Sequence, residues 1–542
     1  MKTRPRAEKI IFYLCLSFWF FYFLWFWLRA FEYNPTGFWL KLGNLAGDWP
    51  IHFSQGATFA YRTLFTLTAP YYILGRFNYP FLVNWLTGLL ARLRFDFFGV
   101  FIFTSLIFCW FFTAILSYFF YRISKSYLSA FFALNLYLLN GGFGFWVFIQ
   151  DLLKYKNLPL VVLLDKEYTH LPELGIQFIN VISSELLPQR ALVFGIPVAL
   201  LVLIGLYSWI FEKPQCYSHK KEAFFLLCLG FISGLMPLIH AHSSLALAII
   251  VGFWFLLSFK HRKNLLMWLY FLLPILFLAS SIFFLFYFKN GQQLKIEWLP
   301  GWYASLYKIN WLWFFFLNWG LLPLLTFLGL FLEKKLAFRL LPFFLLFILG
   351  NLFNFQPWLW DNTKIFSWSN IAFALFAGIL LAKIFQRKGT LFKLLTVLLF
   401  LISISSGALD AWRVQRVEAH RYLIFTQEDI KLAEWLRKNT PKEAVFLTSD
   451  RINHFVPSLT GRQVVLGNRI VLLSYGYNTE AVYRDVVNIY KGIDFENLVR
   501  KYKINFIVVG PFEKEDLEVN EEFLRSRCQL YKATPNIRIY KI

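Results

Sequence analysis

Cysteine is scarce, with five in 542 residues, at Cys15, Cys109, Cys216, Cys228 and Cys528. None forms a C-x-x-C pair, and only Cys528 falls in a stretch that reads as soluble and external. No disulfide framework or cysteine metal site is implied. Charge is also thin, at 16% of residues against 58% hydrophobic and 21% aromatic, which excludes an ordinary soluble globule. The C-terminal part has no GxGxxG and no GKS/T, so no nucleotide is assigned to it. What charge there is leans positive, to a net +23. The Lys and Arg residues sit between apolar runs and form no single patch. Membrane topology and anionic headgroups explain them better than nucleic acid, which is not an expected partner.

Long apolar runs are abundant. Runs of about 17–25 residues are long enough to cross a bilayer, and about eleven are present. They lie at 10–30, 97–120, 127–149, 190–211, 223–240, 243–259, 264–288, 310–332, 339–355, 369–386 and 391–409. The count depends on splitting 223–259 at His240-Ala241-His242, where the chain must turn sharply. The N-terminal MKTRPRAEK, Arg122 to Lys125, Lys213 to Lys221, Lys260 to Lys263, Lys334 to Arg339 and Lys383 to Lys393 are all basic. With eleven spans these segments fall on one side, the cytoplasm by the positive-inside rule, which puts the N-terminus there. The run from Ile10 to Leu28 is too long for a signal-peptide core and no small-x-small site follows it, so it reads as an uncleaved anchor.

The other side receives 31–96, 150–189, the His240 turn, 289–309, 354–368 and the tail. Segment 31–96 is too long for a plain connector and reads as short interfacial helices, broken at Pro70 and at Asn78-Tyr79-Pro80. After Phe425 the composition becomes that of a soluble fold. Helices are expected over Gln427 to Asn439, Thr479 to Tyr490 and Glu496 to Tyr502, and strands over Ala444 to Leu447, Gln463 to Leu466, Ile504 to Val509, near Leu530 and over Ile537 to Ile542. The expected architecture is a polytopic all-α membrane domain, 1–424, with a long first outer loop at 31–96, followed by a small external α/β domain, 425–542.

Polar residues that interrupt apolar chain beside a bilayer are costly and need a partner or a task. The first such stretch runs NLAGDWPIHFSQGATFAYR from Asn44 to Arg62. Asp48 can take a proton from an acceptor hydroxyl, or it can cap a helix opening at Pro50. His52, one turn on, is placed to share its proton or orient a substrate, and Gln55 and Arg62 follow at helical spacing. Further along, Glu185 and Gln189-Arg190 open the fourth run. Arg190 offers a guanidinium fork to a phosphate or carboxylate, or acts as a snorkelling anchor. Glu185 is its partner or an acid of the same pocket.

His240 and His242 sit in a tight turn, where a metal would need a third ligand and a lipid-borne phosphate or sugar would need only hydrogen bonds. Asp361, Asn362 and Lys364 join the ninth and tenth runs. Lys364 can neutralise a leaving phosphate, or the loop is a solvated turn with a local Asp–Lys pair. Asp165, Glu167, His170 and Glu173 read as a metal or acidic site, or more simply as a solvated loop face. Gly141, Gly142 and Gly144 read as close helix packing rather than a phosphate cradle.

One span, a long outer loop with a membrane-proximal Asp, many further spans and an external C-terminal domain together resemble the GT-C superfamily. Those are integral membrane glycosyltransferases that use polyprenyl-phosphate sugars, including protein O-mannosyltransferases and lipid A aminoarabinose transferases. Gly47-Asp48-Trp49-Pro50-Ile51-His52 occupies the place of the family's first-loop catalytic acid. Pro188-Gln189-Arg190, His240-Ala241-His242 and Trp360-Asp361-Asn362-Thr363-Lys364 resemble motifs of bacterial proteins with this layout. The sequence departs from the pattern in having no second acid beside Asp48, which leaves a divalent metal open.

The resemblance implies an inverting glycosyltransferase at the outer face of a bacterial plasma membrane, with Asp48 as its base. His52, Arg62, Glu185, Gln189, Arg190, His240, His242, Asp361, Asn362 and Lys364 would bind substrate or the donor phosphate. It implies a lipid-linked sugar donor, a glycan, lipid or protein acceptor, and membrane lipids as partners. The rival is a non-enzymatic membrane protein of lipid-linked glycan transport or assembly. Transporters tend to carry polar groups in mid-span, whereas these span centres are mostly bare.

Overall fold

The long uncharged stretches become helices, because a backbone in hydrocarbon must satisfy its own hydrogen bonds. The computed structural model describes residues 4–77, 80–93, 95–212, 218–259, 265–287 and 296–542. Among these, eight helices are long and apolar enough to cross a membrane: Arg6–Trp27, Phe97–Ser124, Arg190–Phe211, His219–Ile239, Ala241–Ser258, Leu265–Tyr287, Leu359–Phe385 and Thr390–Val414. The chain is an integral membrane protein. The basic stretch Lys260 to Lys263, residues 213–217 with Cys216, and Asn78-Tyr79 of the expected turn lie outside the described residues. The four described cysteines are free thiols.

Three of the expected runs are shaped differently. The run at 310–332 is two helices, Trp311–Trp319 and Leu322–Leu332, bent by 93°. The bend falls at Gly320, whose φ of +58° is left-handed, a conformation that costs glycine nothing. The run at 127–149 is not one span. A helix, Tyr127–Leu139, stops at Asn140, and a second begins at Phe145. The intervening glycines are needed for contact: a Cβ on Gly144 would meet the Tyr168 carbonyl at 1.6 Å, and one on Gly142 would meet the Leu317 carbonyl at 2.0 Å. This is the close packing expected of that cluster. The run at 339–355 gives a short helix, Leu341–Leu352.

The chain divides into two units. The first comprises Met1–Leu28, Ser105–Ser280 and Lys295–Val417. Its centre is Leu359–Phe385, whose apolar window is wholly buried, packed by Tyr127–Leu139, Leu322–Leu332 and Leu341–Leu352. By contrast only 22% of the Thr390–Val414 window is buried inside the protein, leaving an apolar face suited to lipid.

The second unit comprises Arg29–Thr104, Ser281–Leu294 and Glu418–Ile542. A hairpin, Phe31–Asn34 with Gly37–Leu40, pairs antiparallel with Tyr422–Thr426 to make a three-stranded sheet. Its first two strands fall where interfacial helices were expected. Gly43–Ala57 and Leu82–Arg92 are the helices of that segment.

The C-terminal part follows the expected alternation. Gln427–Asn439 starts at a capping box in which Thr426 and Asp429 exchange side-chain-to-backbone bonds, satisfying two orphan N–H groups. Five strands follow in the order Gln463–Val464, Val445–Leu447, Phe506–Val509, Arg538–Lys541, Gln529–Ala533. The first three run parallel, and Arg538–Lys541 is antiparallel to both its neighbours, Phe506–Val509 and Gln529–Ala533. One hydrophobic core holds Ile51, Ala69, Tyr71 and Tyr72 together with Leu447, Leu466, Tyr490 and Ile507. The early segment and the C-terminal segment therefore fold as one body rather than as a loop beside a domain.

Candidate functional site

In the second unit, Asp48 lies inside the Gly43–Ala57 helix, five residues past its start, and is partly exposed. The helix opens at Gly43 behind an extended Leu42, so Asp48 is not its cap. Pro50 sits within the helix; it has no N–H to give the Ala46 carbonyl, which weakens the turn that carries Asp48. Trp49 is buried edge-on to Phe31, with centroids 5.0 Å apart, and fixes that turn against the hairpin.

His52 and Gln55 point into the protein. His52 Nδ1 lies 2.8 Å from Asn84 Nδ2, and that same amide nitrogen donates to Gln55 Oε1 at 2.7 Å. Gln55 Nε2 donates to the Tyr71 hydroxyl at 3.2 Å. All four side chains are buried, so this network holds the helix and sets the orientation of the His52 ring. Arg62 is also buried and donates from Nε and Nη2 to Glu443 Oε2, at 2.9 and 2.6 Å.

In the first unit, three separate sequence motifs meet. Glu185 is on a π-helical turn, Ile182–Leu186, and its carboxylate accepts from the Ser367 hydroxyl. Burial pushes this carboxyl up to about 7, opposed by the Ser367 and Thr363 hydroxyls and by the nearby Lys364 charge. His240 caps the Ala241–Ser258 helix: its Nδ1 accepts from the Ser243 N–H at 3.3 Å and lies 2.7 Å from the Ser243 hydroxyl. That acceptor role requires an unprotonated Nδ1. Trp368 Nε1 donates to the same hydroxyl at 3.1 Å, which ties the His240 turn to the central helix. His242 Nε2 lies 2.6 Å from Gln356 Nε2, and the two imidazoles are 5.5 Å apart.

Lys364 is buried, 2.9 Å from Asp361, and within electrostatic reach of His240, His242 and Glu185. Asn362 has a different task. It donates to the Gly350 and Phe353 carbonyls at 2.9 and 2.7 Å and accepts from the Phe355 N–H at 3.2 Å, holding the loop shut. Arg190 is buried at the start of its helix, donates to the Ser105 hydroxyl and lies over the Phe108 ring at 5.4 Å. Gln189 stands at the N-cap position of that helix, partly exposed.

Sequence reasoning passed over Ser367, Ser243, Gln356, Trp368 and Asn84. Ser367 and Trp368 lie three and four residues from Lys364, so a helical-wheel reading would have put them on its face. The acidic loop is structural in its contacts: Arg413 donates to Glu167 at 2.9 Å and meets Asp165 at 3.3 Å. The buried Asp410 accepts from the Tyr168 and Thr169 N–H groups at 2.7 and 2.9 Å. Glu173 lies on a short 3-10 turn, and His170 is 3.8 Å from Glu167. Among the described residues no three His, Cys, Asp or Glu side chains are grouped to hold a metal ion, so no step is derived through one.

Solved structures resemble this chain along most of its length. AglB oligosaccharyltransferase from Archaeoglobus fulgidus, in complex with an inhibitory peptide and a dolichol-phosphate, has a TM-score of 0.53 at 10% identity, covering 95% of this chain and 70% of that one. The Archaeoglobus fulgidus oligosaccharyltransferase tethered to an acceptor peptide has a TM-score of 0.51 at 9% identity, covering 94% and 69%. The chain has the GT-C fold. ArnT from Cupriavidus metallidurans in the apo state scores 0.45 at 10% identity, covering 95% of each chain. No family model matches the sequence, and no curated protein matches it. At such identities the likeness is one of GT-C fold alone, and the chemistry rests on this chain's own side chains.

Proposed function

We propose that this chain is an inverting glycosyltransferase that moves a sugar from a polyprenyl-phosphate donor to an acceptor hydroxyl at the outer face of the membrane. The observation that carries the reading is the cluster of buried Glu185, His240, His242 and Lys364, with partly exposed Asp361 beside them, in the helical unit of a GT-C fold. Burying a cation among apolar helices costs several kcal/mol unless it is paired. Here Asp361, three residues away, holds the cation at 2.9 Å, and a phosphate oxygen can replace that carboxylate. AglB was solved with a dolichol-phosphate, a ligand of the same chemical class as the proposed donor.

The proposed reaction is a single displacement. Asp48 takes the proton of the acceptor hydroxyl, whose oxygen forms a bond to the anomeric carbon as the bond from that carbon to the lipid phosphate breaks. The configuration at the anomeric carbon inverts, and polyprenyl phosphate leaves with the electron pair. In the first unit, Lys364 and the imidazole turn supply the positive charge and hydrogen bonds that a lipid-phosphate oxygen needs. Asp48 and Lys364 belong to different units, and their roles are tested separately. The N-terminus is proposed to face the cytoplasm and residues 425–542 the outside, following the basic segments.

The test uses full-length protein in lipid nanodiscs with polyprenyl-phosphate sugars and soluble or lipid acceptors. The expected result is release of polyprenyl phosphate that requires an acceptor hydroxyl, with a Lys364→Met protein needing about a hundredfold more donor. Absence of release with every donor, together with movement of the intact donor between leaflets in proteoliposomes, would favour the transport reading instead.

A further inference from the structure

We infer that Arg62, Arg437 and Arg462 form a second binding site, for a phosphate-type oxyanion, with Glu443 as a displaceable internal occupant. The site lies in the second unit, where two π-helical turns, Thr58–Arg62 and Val456–Thr460, pack together. Gly461, at φ +67°, lets the second turn approach: a Cβ there would meet the Ala57 carbonyl at 2.4 Å. That approach carries Arg462 in beside Arg62.

The three guanidinium groups outnumber their counter-ions. Among the described residues, Glu443 is the carboxylate within ion-pair distance of Arg62, at 2.6 Å, and none lies within that distance of Arg437 or Arg462. Asp96 and Glu434 stand further off, within electrostatic range of Tyr61. Arg462 is 1% exposed and spends its donors on carbonyls: Nη1 on Thr460 at 3.2 Å, and Nη2 on Arg437 and Thr440 at 3.1 and 3.0 Å. Carbonyls cap the charge without neutralising it. Arg437 donates to the Leu459 carbonyl at 2.9 Å and stacks over the Tyr61 ring at 4.3 Å.

Two buried donors, Arg62 Nη1 and Arg462 Nε, meet no acceptor, and each unmet buried donor is costly. Burial and the neighbouring Arg62 and Arg437 charges also depress Arg462, to about 10. A folded protein keeps such uncompensated positive charge where an anion comes to it. Glu443 fits the role of stand-in, because its side chain is 70% exposed and its removal costs little packing. Lys438 and Lys442, both exposed, add attraction at the approach. The chemistry selects an oxyanion with several acceptor oxygens, such as the phosphate of a lipid headgroup or of a soluble glycan. This inference stands whether or not the chain transfers sugar.

Inorganic pyrophosphate is the probe, titrated by calorimetry into full-length protein in phosphatidylcholine nanodiscs. Wild type is expected to bind it, Glu443→Gln to bind about tenfold more tightly, and Arg437→Gln and Arg62→Gln about tenfold more weakly or not at all. Thermal unfolding of each variant reports whether it is folded. Nanodiscs containing phosphatidylglycerol separate the two sources: weaker pyrophosphate binding there assigns the site to headgroups, and unchanged binding assigns it to a soluble phosphate. The inference is overturned if folded Glu443→Gln binds pyrophosphate no better than wild type, or if sodium chloride at equal ionic strength stabilises the protein as well as pyrophosphate does.

Discussion

Asp48 and Glu185 are both acids beside membrane-length helices, and their surroundings differ. Asp48 sits partly exposed on a proline-containing helix, over a buried amide and imidazole network that orients its neighbours. Glu185 is sealed, hydrogen-bonded by Ser367 and faced by Lys364, with its carboxyl raised to about 7. Under the proposed function, that difference assigns the two acids different tasks. A partly exposed carboxylate is open to a substrate's proton, whereas a sealed one tunes the charge of the groups packed around it.

Removing the cation from the sealed cluster sharpens that contrast most. Lys364→Met is expected to lower stability by about 3 kcal/mol, because Asp361 loses its buried partner, in addition to its effect on donor. Thermal or denaturant unfolding in detergent checks it, and an unchanged midpoint would mean that Asp361 and Lys364 are solvated in the protein. Next in size is Asn362→Ala, which deletes three hydrogen bonds to the 350–355 turn and is expected to cost about 2 kcal/mol. Its donor dependence should stay near that of wild type if Asn362 is a loop fastener, and rise with that of Lys364→Met if it touches donor.

A pH dependence is expected as well. A carboxyl raised from 4.5 to about 7 on folding holds its proton more tightly in the folded state. Its contribution to stability is therefore full below pH 4.5, is lost as pH rises towards 7, and is constant above that. Glu185→Gln should remove this slope while keeping sugar transfer within about tenfold of wild type. Unfolding midpoints measured from pH 4.5 to 8 would contradict the assignment if the wild-type and variant curves ran parallel.

Much of this was legible in the chain. The apolar runs were, because length and absence of charge decide what can cross a bilayer. So were the C-terminal strands, where short β-branched runs stand between turn signals, as at Phe506–Val509 before Gly510-Pro511. The motifs at Glu185, His240 and Lys364 stood out because each interrupts apolar sequence. Tertiary contact hid the rest. Phe31–Asn34 becomes a strand only because Gly37–Leu40 finds a partner in Tyr422–Thr426, far along the chain. Just past the break after Leu139, Gly144 closely approaches the Tyr168 carbonyl, a contact that no local periodicity reports. Asn84 and Gln356 were invisible for a similar reason, since each is a lone amide whose partner, His52 or His242, comes from another element.

The most direct test of the account compares Asp48→Asn with Glu185→Gln in the same nanodisc assay of polyprenyl phosphate release. Asp48→Asn is expected to lose about a thousandfold in rate at an unchanged unfolding midpoint, while Glu185→Gln stays within about tenfold. An Asp48→Asn protein that folds and transfers sugar at the wild-type rate would contradict it.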